Sequence, residues 1–243
     1  MTILEEMKVR RLFCDGGMGS LLQAQGLGAG ELPETWNIKR PEVLLEVHRS
    51  YLQAGCDIIN TNTFGANRLK FNSQTEYSLE EIVVPAVRNA RAAVEVEGHG
   101  YVALDLGPTG KLLQPLGDLA FEDAVDIYRE VIGIGVREGV DLILIETMSD
   151  SLELKAAVLA AKENSELPVF ATVIFDEKGR LLTGGDAASV VALLEGLKVD
   201  ARKNNIVLAI VRPPMIYGKN SKGNFKMLVK LADKGPVFPN VKN

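Results

Sequence analysis

Short apolar runs that alternate with helical segments and end in polar or acidic residues predict an α/β chain folded as a (β/α)8 barrel of the TIM type. Three observations carry that expectation. The runs at residues 11–15, 57–63, 101–106, 142–146, 169–175 and 206–212 are rich in Val, Ile, Leu and Phe and scarcely alternate, as strands buried on both faces do. They recur roughly every 30 to 45 residues with a helical stretch between, which implies a parallel sheet with right-handed crossovers. The third concerns where chemistry-capable residues fall. Asp15 ends the first run, Asn60-Thr61-Asn62-Thr63 the second, Asp105 the third and Glu146 the fourth. A barrel carries its working residues at the C-terminal ends of several strands. An open dinucleotide-binding sheet would instead need a glycine fingerprint after its first strand. Here Gly26-Leu27-Gly28 falls in a loop and Gly133-Ile134-Gly135 inside a helical run, so no dinucleotide site is expected.

The intervening helices follow from periodicity. Residues 41–54 place Val43, Leu44, Val47, Tyr51 and Leu52 on one stripe, with Gly55 as the stop. Ser78-Leu79-Glu80-Glu81 reads as a capping box that opens the next helix. Pro85 is expected to kink that helix or shift its start. Residues 121–138, 152–164, 188–197 and 225–234 supply four more.

The chain has 243 residues, 47% of them hydrophobic, enough to bury the core of one domain. A net charge of −5 argues against a nucleic-acid partner, which would want a basic face. No apolar run approaches the ~18 residues of a membrane span. Residues 1–11 mix Glu5 and Glu6 with Lys8, Arg10 and Arg11, unlike a signal peptide. Cys14 and Cys56 cannot build a disulfide framework, so the cytoplasm is the expected compartment.

Gly16 and Gly17 follow Asp15 at the mouth of the first strand, where backbone N–H groups can approach a carboxylate closely. Asp15 and Glu146 suit an ammonium group. Together these residues read as a clamp for an amino acid. Thr183-Gly184-Gly185-Asp186 can cap a helix or form a second anion nest, and Asp176 in Asp176-Glu177-Lys178-Gly179 reads as a turn former. His48 lies mid-helix in the outer layer. His99 and Cys56 precede their strands and so belong to the opposite end of the barrel. Cys14 has no Cys or His companion at ligand spacing and reads as a small buried strand residue.

Five ordered motifs then carry a resemblance. They are Asp15-Gly16-Gly17-Met18-Gly19-Ser20, Asn60-Thr61-Asn62-Thr63-Phe64-Gly65-Ala66-Asn67, Leu104-Asp105-Leu106-Gly107-Pro108-Thr109-Gly110, Glu146-Thr147-Met148-Ser149-Asp150 and Leu181-Leu182-Thr183-Gly184-Gly185-Asp186. In this order they resemble the homocysteine S-methyltransferases, most of all the homocysteine-binding barrel of cobalamin-dependent methionine synthase. The resemblance spans residues 1–200. It implies a cytoplasmic enzyme module that binds homocysteine and activates its thiolate for methyl transfer to give methionine. Asp15, Gly16, Gly17, Asn62, Thr63, Asp105 and Glu146 become the substrate-binding candidates. It also implies zinc as cofactor and methylcobalamin as a methyl donor, supplied by a cobalamin-binding domain or protein.

The family holds its zinc with one cysteine after the sixth strand and a Cys-Cys pair two strands later. Beyond Asp200 this sequence reads Ala201-Arg202-Lys203-Asn204-Asn205 and has no further cysteine, so no residue is assigned to the metal. Residues 201–243 instead carry Arg212-Pro213-Pro214-Met215-Ile216-Tyr217-Gly218, which resembles a segment of NAD-dependent sugar epimerases and dehydratases. The expected architecture is therefore a barrel truncated after about six βα units, with a tail that packs as a final unit or joins as a chimera. Two alternatives stay open: a metal-free homocysteine-binding module or non-functional product, and a sugar-nucleotide epimerase fragment.

Overall fold

A computed structural model describes the backbone of residues 2–71, 75–202 and 208–210. The expected helix at 225–234 and most of the epimerase-like tail lie outside these residues. Five strands, β1 (Ile58–Asn60), β2 (Tyr101–Leu106), β3 (Leu142–Met148), β4 (Val169–Val173) and β5 (Leu208–Ile210), form one sheet. Every neighbouring pair is parallel, and the spatial order is the sequence order. A doubly wound sheet reverses its order at a switch point. An unreversed parallel order is that of a (β/α) barrel wall, and this fold is of that type.

The first expected strand, residues 11–15, is reduced to a single parallel bridge between Cys14 and Ile58. It lies at the edge of the described sheet with β1 as its neighbour, which leaves Phe13 62% exposed. Cys14, expected to be buried, is exposed for the same reason.

The helices sit where their periodicity places them. The four long ones in the order of the strands are α4 (Pro41–Gln53), α6 (Leu79–Glu97), α7 (Phe121–Arg137) and α8 (Ser151–Asn164), and α9 (Ala187–Arg202) follows β4. Ser78 and Glu81 form the expected capping box. Pro85 does not shift the start of α6: the helix runs through it, because the box fixes Leu79 as its first residue and the apolar face continues on both sides. Shorter pieces were not expected from periodicity: α1 (Ile3–Val9), α2 (Met18–Ala24), a 3-10 turn at Pro33–Thr35, α3 (Trp36–Lys39) and α5 (Arg68–Phe71).

Alternation along the strands splits the apolar residues between two layers. Ile59, Val102, Leu104, Ile143, Ile145, Val169 and Ala171 face the helices in the main core. Ile58, Ala103, Leu142, Leu144 and Phe170 form a second cluster on the inner face, closed by Ile3 of α1. Helix α1 therefore covers the N-terminal end of the strands. Thr2 caps it reciprocally with Glu5. Arg10 pairs with Asp57, and the Tyr101 hydroxyl donates to Glu6 at 2.6 Å. Among the described residues, no helix is long and apolar enough to cross a membrane.

Candidate functional site

The inner face turns from apolar to acidic toward the C-terminal ends of the strands. Asp15 leaves the edge segment there. Its N–H donates to the Ile58 carbonyl at 2.9 Å, and its Oδ2 accepts the Asn60 N–H at 2.9 Å. Asp105 pairs in register with Leu144, and Glu146 follows two residues later on the same face of β3. The register of β3 against β4 shifts between Ile145 and Met148, around Glu146. Within that bulge Thr147 takes φ 60°, and its N–H donates to Thr172 Oγ1 at 2.8 Å. A β-branched residue in the left-handed region stores about 1–3 kcal/mol of strain. Here the bulge re-aims one carboxylate at the mouth of the sheet.

These acids are poor in donors. Asp15 Oδ1, Asp105 Oδ1, Asn60 Oδ1 and Glu34 Oε2 are buried acceptors with no hydrogen-bond partner among the described residues. Burial is the largest influence on Asp15 and, with the charge of Glu146, pushes its carboxyl up to about 8 against the pull of the Asn60 amide. Asp105 is only 6% exposed. Its carboxyl is raised well above the carboxylate range, first by burial and then by the charge of Glu146. Asp15 and Glu34 add to the repulsion. A site that gathers buried acceptors and negative charge without matching donors suits a cationic group with several N–H bonds to give.

The other expected residues fall in two groups. Gly16 and Gly17 lie beside Tyr51: a Cβ on Gly16 would come 3.0 Å from the Tyr51 hydroxyl, which donates to the Gly17 carbonyl at 3.4 Å. Gly16 is thus fixed by a close approach. Asn62 and Thr63 stand behind the mouth. Asn62 Nδ2 donates to the Pro33 carbonyl and to Asn37 Oδ1. Thr63 Oγ1 donates to the Asp105 carbonyl at 2.7 Å, while the Asp105 N–H donates to Thr61 Oγ1. These pairs hold the strand end that carries Asp105. Glu34 was not singled out from sequence, because a turn between Leu32 and Trp36 gives no periodic signal. It is buried, and its Oε1 accepts the Gly65 N–H at 2.6 Å.

Of the remaining candidates, Asp186 accepts from the N–H and hydroxyl of Ser189, so it caps α9. The Gly184 N–H is engaged by the Leu181 carbonyl, which favours the cap over an anion nest. Asp176 Oδ1 accepts from the N–H groups of Lys178 and Arg180 and forms the expected turn. His48 is fully buried, with neither ring nitrogen partnered among the described residues, and burial holds its imidazole down to about 4.

The residues present do not fit the zinc that the resemblance implies. Among the described residues, no three His, Cys, Asp or Glu side chains form a group able to hold a metal ion. The two cysteines of the sequence lie together at the edge, where the Cys56 thiol donates to the Cys14 carbonyl at 3.4 Å.

Comparison with known proteins completes the description. A family model described as homocysteine S-methyltransferase matches residues 12–216, and so runs past the expected join near residue 201. The chain is 33% identical over 218 residues to methionine synthase from Mycobacterium leprae and, equally, to that from Mycobacterium tuberculosis. Each match covers 82% of this chain, which spans 18% of the length of either relative. Among solved structures, the homocysteine methyltransferase MmuM from Escherichia coli in its metallated form aligns with TM-score 0.72 and 21% identity. That alignment covers 85% of this chain and 76% of the other. The oxidized form of the same protein aligns with TM-score 0.70 and 23% identity, covering 86% and 75%.

Proposed function

Because the chain belongs to the homocysteine S-methyltransferase family, we propose that it is a homocysteine-binding module of a methyltransferase, and that the mouth of its sheet receives the amino-acid end of homocysteine. The observation that carries this reading is the set of buried, donor-poor acceptors on Asp15, Asn60 and Asp105 beside Glu146. An ammonium group offers three N–H donors and a positive charge. Asp15 and Glu146 would take it, with Asp105 completing the acceptor set. The N–H groups of Gly16 and Gly17 would meet the carboxylate. Asn62 and Thr63 would position the strand ends rather than touch the substrate.

The family's zinc would supply a thiolate at neutral pH. These residues do not fit it, so the reading assigns this chain the recognition of homocysteine and derives no methyl-transfer step from it. A cobalamin-binding domain or protein remains the proposed source of the methyl group.

Calorimetric titration of the full chain with L-homocysteine, with and without a metal chelator, tests this. The expected result is binding that survives the chelator. Binding that requires zinc would overturn the metal-free assignment and favour the complete enzyme. No binding in either case overturns the reading.

A further inference from the structure

Glu153 is a buried acid in the first turn of α8, only 3% exposed. Its Oε1 accepts three hydrogen bonds, from the Thr109 N–H at 2.7 Å, the Thr109 hydroxyl at 2.6 Å and the Tyr128 hydroxyl at 3.1 Å. Thr109 and Tyr128 are themselves buried. A buried carboxylate generally has a cation beside it. Glu153 is met instead by an amide and two hydroxyls, at a helix end whose dipole favours negative charge. Asp150 caps α8, which puts Glu153 at the third helical position. An acid there often turns back to the N–H of its own cap. Glu153 reaches across to the neighbouring βα unit.

Tyr128 carries the contact on toward Asp105. Its hydroxyl has one hydrogen to give and lies within reach of two acceptors, Glu153 and the Gly107 carbonyl, the latter at 3.2 Å. Burial and the charge of Glu153 raise the phenol well above its ordinary range, so it stays a donor. On its other side Gly107 donates its N–H to the Phe64 carbonyl at 3.0 Å. Asp105 stands two residues before Gly107 in β2, with its own N–H and carbonyl bonded to Thr61 and Thr63. The exit of β2 is thus held to β1 on one side and to α8 on the other. Helix α8 in turn follows β3, the strand that carries Glu146.

We propose that Glu153 is a positioning residue for the amino-acid end of homocysteine: it fixes the exit of β2 against the start of α8 and so sets the opening between Asp105 and Glu146 that receives the ammonium group. This rests on the functional reading above. Glu153 touches no substrate and acts through Thr109 and Gly107 on Asp105. An apolar side chain of similar size would fill the same space with no charge to desolvate. Its contacts would be non-directional, whereas three donors converging on one oxygen fix both the distance and the orientation of the loop.

The test is calorimetric titration with L-homocysteine at pH 7 of the full chain, of E153A and E153Q, and of I3A as a control destabilised at the opposite end of the strands. E153A loses the acceptor and is expected to bind at least about tenfold more weakly, the scale of a hydrogen bond to a charged group. E153Q keeps an oxygen acceptor without the charge and is expected to recover binding to within about threefold of the parent. I3A is expected to bind as the parent does despite a lower unfolding midpoint, which separates positioning from a general loss of stability. Should E153A not fold, T109V and Y128F carry the same comparison. Each removes one hydroxyl donor and leaves the acid in place, and each is expected to weaken binding about three- to tenfold. Parent-like binding by E153A, or by both T109V and Y128F, overturns the proposal and leaves the functional reading intact. E153Q as weak as E153A, or I3A as weak as E153A, does the same. No binding by the parent chain overturns the functional reading, and this proposal with it.

Discussion

At the scale of single residues, buried groups of opposite type make stability depend on pH in opposite directions. His48 is held neutral, its imidazole depressed from 6.5 to about 4 by burial. The unfolded chain binds that proton first. The stability due to a neutral His48 is therefore complete above about pH 6.5 and is lost as pH falls toward 4, by about 3 kcal/mol in all. H48L is expected to flatten this acid limb in urea-unfolding midpoints measured from pH 7 to pH 4. Asp15 behaves in the reverse sense. Its folded value, about 8, lies far above the ordinary carboxylate range, so its contribution is greatest at low pH and is lost as pH rises through 8. D15N is expected to raise the unfolding midpoint at pH 8 relative to the parent, yet to weaken L-homocysteine binding at least tenfold in calorimetry, roughly the 1.5–3 kcal/mol of a charged hydrogen bond. The sequence exposes Asp15, Asp105 and Glu146 because an acid at the end of an apolar run has no packing reason to be there. It hides Glu34, whose burial comes from the return of residues 62–65 over a distant turn. The burial of His48 was readable: it lies one helical turn from Leu44 and from Leu52, on the same stripe.

The elements divide by length. Long helices with a sustained stripe, such as α4 and α7, start and stop within a residue or two of where periodicity puts them. α1 has only seven residues, too few for a period to emerge, although Thr2 and Glu5 carry a capping-box spacing that would have marked it. Strand β2 matches its apolar run residue for residue. The 11–15 run does not, because strand length depends on neighbours as much as on composition. Tight contacts between loops at the mouth were invisible for a similar reason. A Cβ on Gly107, just after β2, would lie 2.6 Å from the Phe64 carbonyl oxygen and as close to its ring. G107A is expected to cost about 1–3 kcal/mol, as overpacking does, and to lower the thermal unfolding midpoint. S78A removes one half of the α6 capping box and is expected to cost about 1 kcal/mol by urea unfolding.

The whole molecule was legible as a parallel barrel wall because its strand exits, rather than its strands, distinguish that wall from an open sheet. What the sequence did not reveal is how the N-terminal end is closed. Ile3 is 3% exposed and completes the inner cluster with Leu144 and Phe170. I3A is expected to cost about 2–5 kcal/mol in urea unfolding, by cavity formation under the strands. R10A breaks an ion pair whose arginine is half-exposed, and is expected to shift the urea midpoint far less than I3A does. The edge segment has a consequence of its own. Phe13 and Asp15 turn their backbone toward β1, where the Phe13 carbonyl accepts from Ile58 and the Asp15 N–H donates to it, and the Phe13 N–H is held by Asp57. Strand alternation directs the N–H groups of Leu12 and Cys14 the other way. In deuterium exchange the segment should therefore read as two interleaved clocks, slow at 13 and 15 and fast at 12 and 14. A slow clock at 12 and 14 would time the residence of whatever strand lies against that edge in solution.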